Sequence, residues 1–384
     1  MKKNIITAAL MLVILSGCEF IPFSEYNIPP YDGDFTWTKV TAHAPWKARL
    51  DHAAVAFDDK LWILGGYNPG QMQGDTYFED IWNSADGAAW QQVNDSAPWH
   101  GRRGHAVITF NDGNGEAMYL IGGFEVNEST GYRQYTNDVW KSTDGATWQL
   151  IKERSYPELD SLYDWFPRMN HTVVAAQHGG QNYLYLIGGS TMLEGHSARY
   201  SMKYFNDVWR STDGINWENL HSEDYGIRAG HAATVDPVTQ RIYIQGGMFG
   251  VIFEGENNET QPLPDWRWLW SSDDGIHWTP ENDTANFDQG YLGRAEHQMA
   301  FYNNTLYAFP GKTNSTVHFH FALKGYYSIW KKEDGNLWSV DSNGSATDAR
   351  YSYALVNFNQ KIWMLGGDTN TNGPANDVWS AEIR

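Results

Sequence analysis

Past its first 33 residues the chain is a succession of short apolar runs separated by turn residues. Ala53-Ala54-Val55-Ala56-Phe57 meets Asp58-Asp59, and Leu61-Trp62-Ile63-Leu64 then ends in Gly65-Gly66. A third run closes on Trp82, an Asp86-Gly87 turn follows, and a fourth run opens with Trp90. Runs this short, bounded by Gly, Asp and Asn, predict β-strands joined as hairpins rather than helices. The whole unit returns along the chain at intervals of roughly 60 residues, so each copy is one thin antiparallel sheet that must stack on its neighbours to bury its faces.

Fixed residues mark each copy. Arg-x-x-His opens five of them, at Arg49/His52, Arg102/His105, Arg168/His171, Arg228/His231 and Arg294/His297, while the sixth has Arg350/Tyr353. Glycine pairs end the second run at Gly65-Gly66, Gly122-Gly123, Gly188-Gly189, Gly246-Gly247 and Gly366-Gly367; the fifth copy departs with Pro310-Gly311. The third run ends at Trp82, Trp140, Trp209, Trp270, Trp330 or Trp379, usually behind Asp-Val or Asp-Ile, and the fourth opens with Trp90, Trp148, Trp217, Trp278 or Trp338. Twelve of the 19 tryptophans, Trp37 included, hold these two positions, which suits packing between sheets.

These motifs resemble the kelch family of β-propellers. The resemblance implies an all-β fold over residues 34–384: a single six-bladed kelch-type β-propeller of four-stranded antiparallel blades. The Trp-x-Ser-x-Asp-Gly-x-x-Trp stretches, as from Trp140 to Trp148, depart from many kelch repeats and are similar to the Asp-box hairpin of sialidases, as a turn device only. The sixth copy stops at Ala381-Glu382-Ile383-Arg384, where its fourth strand is due, and Asp32 to Val40 parallels Asp86 to Val93. The ring is therefore expected to be closed by an N-terminal strand, which removes an open edge.

The start of the chain reads as an address. Met1-Lys2-Lys3 precedes an apolar stretch from Ile5 to Leu15, long enough for a signal-peptide core and too short to span a bilayer. Leu15-Ser16-Gly17-Cys18 resembles the bacterial lipoprotein box, which implies a signal over residues 1–17, lipidation of Cys18 and a tether over 18–33. Glu19 is not the Asp associated with inner-membrane retention, so a cell-envelope protein anchored by lipid, in the outer membrane, is the expected location. Cys18 is the chain's only cysteine, which rules out internal disulfides. The formal charge of -19 argues against nucleic acid as a partner.

Alternating strand direction puts the second-to-third and inter-blade connections on one face. These are longer and less alike than the Asp-Gly turns of the other face, and variable loops on a rigid scaffold are where binding resides. That face also receives Arg49, Arg102, Arg168, Arg228, Arg294 and Arg350, with Trp46, Trp99, Trp165, Tyr225 and Tyr291 three positions before the first five. The expectation is a ligand-binding basic ring with an aromatic collar, although a residue repeated in every blade also suits the scaffold. Tyr132, Arg133, Phe253, Trp266 and Trp268 are less repetitive specificity candidates.

Catalytic chemistry is sparse. The five repeated His sit on different blades, too far apart to share a zinc ion, and are read as structural. His318 and His320 lie on one side of an extended segment without a third ligand, and Asp112 to Glu116 lacks a full calcium loop; no metal and no cofactor are expected. Galactose oxidase, a kelch-propeller enzyme, needs a Tyr-Cys cross-link that this chain cannot make. The sialic acid mutarotase, a six-bladed kelch protein, carries a Gly-Glu stretch with no convincing counterpart here. The reading is a monomeric binding lipoprotein that recognises a glycan or an extracytoplasmic protein through its loop face, with a sugar-acid mutarotase or epimerase as the alternative.

Overall fold

A computed structural model describes residues 34–70, 75–127, 129–159, 161–193, 201–222, 225–248, 268–281, 294–313, 329–332, 338–342, 350–369 and 372–383. Cys18, Tyr291, Phe253, Trp266, His318 and His320, with the proposed signal and tether, lie outside them.

Each repeat forms one antiparallel sheet, four-stranded in five blades and five-stranded in blade 2, where Gly101–Arg103 is added, and these six sheets follow one another along the described chain. Blade 1 runs Ala53–Phe57, Lys60–Leu64, Ile81–Ser84 and Gln91–Asn94; blade 2 is built on Ala106–Asn111, Glu116–Asn127, Tyr132–Ser142 and Gln149–Lys152. The second-to-third connection of blade 2, expected to be a loop, is a prolonged hairpin instead, because its alternating residues stay paired out to Asn127 and Tyr132. In blade 6 the fourth place is taken by Phe35–Thr41, which pairs antiparallel with Val378–Ile383 from Phe35 opposite Ile383 onward.

The blades meet around an axis through one repeated backbone contact. The residue two places after each repeated Arg bonds to its counterpart in the preceding blade: Gly104 N–H to Asp51 O at 3.0 Å, Asn170 to Gly104 at 2.8 Å, Gly230 to Asn170 at 2.8 Å. Glu296 continues to Gly230 at 2.7 Å, Ser352 to Glu296 at 3.0 Å, and Asp51 returns to Ser352 at 3.1 Å. The six donors and six acceptors form a closed belt. The inner strands of successive blades touch one another all the way round, and their first residues line a central cavity of about 220 Å³.

The core is divided into layers between the blades. Between blades 2 and 3, Tyr119 and Ile121 face Leu184, Leu186, Trp209 and Trp217, and each other joint has its own such cluster. The glycine pairs follow from this stacking. A Cβ on Gly65 would lie 2.8 Å from Cε1 of His105 in the next blade, and one on Gly66 would lie 2.6 Å from the Cβ of His52 in its own. Both glycines have positive φ, 61° and 93°, which adds a backbone reason to the steric one. Where blade 5 replaces the first glycine by Pro310, blade 6 replaces the His by Tyr353, whose hydroxyl donates to the Pro310 carbonyl at 2.7 Å. The two departures from the repeat are thus one packing solution.

Candidate ligand site at the channel mouth

The six repeated arginines enter the fold at the loop face, as expected, but as scaffold. All are at most 2 % exposed. Each sends Nη1 to a carbonyl at the end of its own second strand: Arg49 to Gly65 at 2.9 Å, Arg102 to Gly122 at 3.1 Å, Arg168 to Gly188 at 2.9 Å. Arg228 reaches Gly246 at 3.3 Å, Arg294 reaches Phe309 at 2.9 Å, and Arg350 reaches Gly366 at 3.0 Å. Four also fork onto the Asp that precedes Val-Trp or Ile-Trp: Arg49 on Asp80, Arg102 on Asp138, Arg168 on Asp207 and Arg350 on Asp377. The same carboxylates accept the indole N–H of Trp82, Trp140, Trp209 and Trp379. Bidentate charge-assisted pairs of this kind fix geometry strongly, and they leave no guanidinium fork open to a ligand carboxylate.

Blade 4 breaks the pattern, since Trp268 stands where the Asp is due. Arg228 is held by the carbonyls of Tyr225, Gly226 and Gly246 and has no carboxylate partner among the described residues. Burial accordingly lowers its pKa to about 10.

The aromatic collar is likewise internal. Trp46, Trp99, Trp165 and Tyr225 are buried, and each packs on the fourth-strand Trp of the blade it introduces, as Trp99 does edge-on against Trp148 at 4.9 Å and 90°. These four residues therefore seal the tops of their sheets and offer no aromatic face to a sugar. The repeated histidines are also enclosed. Burial first, and then the neighbouring Arg charge, lowers His52 and His171 to about 3 and holds His105 and His231 well below the usual range; burial and Arg294 lower His297 to about 3. Of the less repetitive candidates, Tyr132 is exposed at the tip of the blade 2 hairpin with Arg133 beside it, and Trp268 packs on Trp270. Asp112, weighed as a calcium ligand, anchors Lys141 at 2.6 Å and Tyr119 at 3.0 Å on the opposite face.

The residues that do converge on the channel mouth occupy places where the repeats differ. The belt positions carry Asp51, Glu296 and Ser352 on the adjoining blades 1, 5 and 6, which face the cavity. The position after each repeated Arg pairs with the residue after the glycine pair, which brings Arg103 opposite Phe124, Ala295 opposite Lys312, Tyr351 opposite Asp368 and Leu50 against Tyr67. Across the belt these groups meet. Arg103 Nη1 lies 3.4 Å from Asp51 Oδ2, and its guanidinium is over the Tyr67 ring at 4.2 Å. Lys312 binds Glu296 and stands over the Tyr351 ring at 5.3 Å, and the Ser352 hydroxyl donates to Glu296 Oε2 at 2.6 Å.

Three carboxyls thus share the mouth with two cations. Burial and then the Glu296 charge raise Asp51 above the ordinary carboxyl range, against the pull of Arg103. Asp368 is raised by burial, and Tyr67 is pushed up to about 12, again by burial first. No cluster of three or more His, Cys, Asp or Glu among the described residues has the arrangement of a metal centre. What the mouth offers is a half-buried rim of donors, acceptors and tyrosine rings around an opening. Sequence reasoning missed these residues because it followed what the repeats share. The available signal was the reverse: the pair behind each Arg reads Leu50-Asp51, Arg103-Gly104, Met169-Asn170, Ala229-Gly230, Ala295-Glu296 and Tyr351-Ser352.

The fold has solved counterparts. The structure of YjhT superposes with a TM-score of 0.61 over 88 % of this chain and 96 % of that one, at 15 % identity. The chain has a β-propeller fold. A kelch-like protein of Aspergillus terreus, terF, is 29 % identical over 163 residues, which is 41 % of this chain. The match spans 32 % of that protein's length, so its whole-protein properties do not transfer. No protein-family model matches the sequence. Within the propeller frame, the Arg-Asp-Trp triads and histidine-glycine joints hold the blades, and the mouth residues are what distinguishes one blade from another.

Proposed function

We propose that this propeller is a lipid-anchored, extracytoplasmic binding module that holds a small polyhydroxylated ligand, such as the end of a glycan, at the channel mouth. The observation that carries the reading is the convergence of Asp51, Glu296, Asp368, Arg103, Lys312, Ser352 and the Tyr67 and Tyr351 side chains on one opening, from positions the scaffold does not fix. Hydroxyl-rich ligands suit convergent carboxylates and amines beside aromatic rings. The charge balance sharpens the class. Arg103 and Lys312 are already matched by Asp51 and Glu296, and Asp368 is left over, so the mouth favours neutral or amine-bearing sugars over sugar acids.

The test is calorimetric titration of the mature chain with methyl glucoside, glucosamine, glucuronate and N-acetylneuraminate, repeated on Lys312→Ala and Tyr351→Phe. Binding of the neutral or amino sugar, weakened about tenfold or more by either change, supports the proposal; a tenfold loss corresponds to about 1.4 kcal/mol. Preference for the two acids, or indifference to both substitutions, removes the site from the mouth.

A second reading has its own observation. Asp51 keeps its proton to higher pH than an ordinary carboxyl and faces the cavity, which suits general acid-base work on a sugar. A mutarotase or epimerase acting there would accelerate anomer exchange of a bound sugar, and Asp51→Asn would abolish the acceleration. Anomer exchange at the buffer rate across the same four sugars leaves the binding module.

A further inference from the structure

The channel is not the one opening in the described part of the molecule. A cleft of about 670 Å³ lies over the loop-face edge of blade 1, between the connection that leads into that blade and the hairpin of blade 2. Its floor is Tyr77, Phe78 and Trp82, and its walls bring Lys47, Gln92, Asp95, His100 and Asn127. We infer that this cleft is a second ligand site, separate from the channel mouth, for an uncharged oligosaccharide segment.

Three observations lead there. First, blade 1 leaves open an edge that blade 2 covers. Over blade 2 the corresponding edge is covered by the long connection into blade 3. There Ser155 bonds Asn137 at 2.8 and 2.9 Å, Arg154 pairs with Glu125 at 2.6 Å, and Tyr156 reaches Gln134 at 3.3 Å. Trp148 and Arg168 are 20 positions apart and Trp90 and Arg102 only 12, so the shorter connection leaves blade 1 less covered than blade 2. Second, the walls carry side chains that the scaffold does not use. Lys47, Gln92 and Asp95 are exposed and make no hydrogen bond or ion pair through their side chains among the described residues, whereas Trp82 and Asp80 beneath them are tied into the Arg49 triad. Third, the chemistry is mixed, with one more carboxylate than ammonium. One free ammonium faces the carboxylates of Asp95 and Glu79, amides stand at Gln92 and Asn127, and an indole edge lies below. Paired amide and carboxylate groups match the vicinal hydroxyls of a sugar, aromatic carbon covers its C–H face, and the surplus carboxylate disfavours an anion. The volume lies within the usual range for ligand clefts, roughly 300–1,000 Å³.

The inference does not depend on the mouth. The test measures hydrogen–deuterium exchange of the mature chain with and without maltotetraose, cellotetraose, xylotetraose and mannotetraose, and titrates the same probes calorimetrically. Protection of segments 44–48 and 91–101 by at least one probe is expected. It should be lost in Gln92→Trp, which fills the cleft, weakened about tenfold in Gln92→Ala, and retained in the mouth variant Lys312→Ala. Gln92 is exposed and bonded to nothing through its side chain, so neither change threatens the fold; matching thermal transitions verify this. No protection of those segments by any of the four probes overturns the proposal, as does protection that survives Gln92→Trp. Protection confined to the mouth segments 350–353 and 366–369 overturns it while supporting the channel site.

Discussion

The buried histidines make the ring acid-labile, and the effect can be worked out in advance. In the unfolded chain a histidine titrates near 6.5, whereas His52, His171 and His297 are held at about 3 in the fold, and His105 and His231 well below their usual value. Because the folded pKa is the lower one, the unfolded state binds protons first as pH falls. Stability is therefore intact above about pH 7 and declines from there through the folded values. At pH 5 each of His52, His171 and His297 costs about 2 kcal/mol of the neutral-pH stability, and near pH 5.5 each contributes a slope of about 1 kcal/mol per pH unit, with His105 and His231 acting in the same direction. Five act together, against a total stability of about 5–15 kcal/mol for a typical domain. The Arg-bound carboxyls Asp80, Asp138 and Asp377 are lowered and titrate below this window, so they do not mask it. Asp51 and Asp368, being raised, act in the opposite sense and offset part of the loss. Urea unfolding followed by tryptophan fluorescence at several pH values between about 7.5 and 5 reads the slope directly. His171→Asn should flatten it by the share of one histidine, whatever it does to stability at neutral pH. A stability constant within about 1 kcal/mol over that range, or an unchanged slope in His171→Asn, would refute the reasoning.

Two further outcomes follow from the scaffold. Removing residues 34–41 takes away the strand paired with Val378–Ile383, together with Phe35, whose ring lies 4.7 Å from that of Tyr307 in blade 5. The whole molecule should unfold at markedly lower temperature in calorimetry, and an unchanged transition would reject closure by this strand. Arg102→Met leaves the buried Asp138 without its ion-pair partner and Glu125 with Arg154 alone, at a cost of about 3–5 kcal/mol, whereas Arg228→Met strands no carboxylate among the described residues and should cost clearly less in urea unfolding.

The fold was legible because each shared residue has a repeated mechanical task. Arg102 clamps Gly122 and Asp138, Trp140 bonds the same carboxylate, Gly122 makes room for His171, and Trp148 caps the turn by bonding Gly145. A task performed at every joint leaves its mark at a fixed interval, so periodicity shows it. The same logic explains why the arginines misled. Their rank around the axis suggested a basic ring, but the balancing Asp lies 31 to 39 positions along the chain in the first three blades, and only the folded sheet puts the two in contact. The mouth was illegible for a further reason. Asp51 and Glu296 are 245 residues apart in sequence and meet only when the ring closes, and their neighbours Arg103, Lys312 and Asp368 belong to three different repeats without a shared pattern.

The belt itself bears on whether the mouth is a site or scaffold. Every belt residue adopts a left-handed conformation, with φ between 51° and 61°. Glycine meets that demand at 104 and 230 without a side-chain penalty, and asparagine at 170 tolerates it. Glu296 and Ser352, at φ 52°, are costlier occupants, by roughly 1 kcal/mol each. They stand on adjoining blades, next to Lys312, Tyr351 and Asp368, where a ligand use would justify the cost. Glu296→Gly separates the two explanations. It relieves the backbone and removes the carboxylate that holds Lys312, so stability should stay within about 1–2 kcal/mol of the parent. Affinity for the neutral or amino sugar should fall about tenfold or more, a loss of about 1.4 kcal/mol or greater. Unfolding in urea and calorimetric titration of the same protein give both numbers. A loss of stability beyond about 3 kcal/mol with binding unchanged would make Glu296 a structural residue and take the ligand away from the belt.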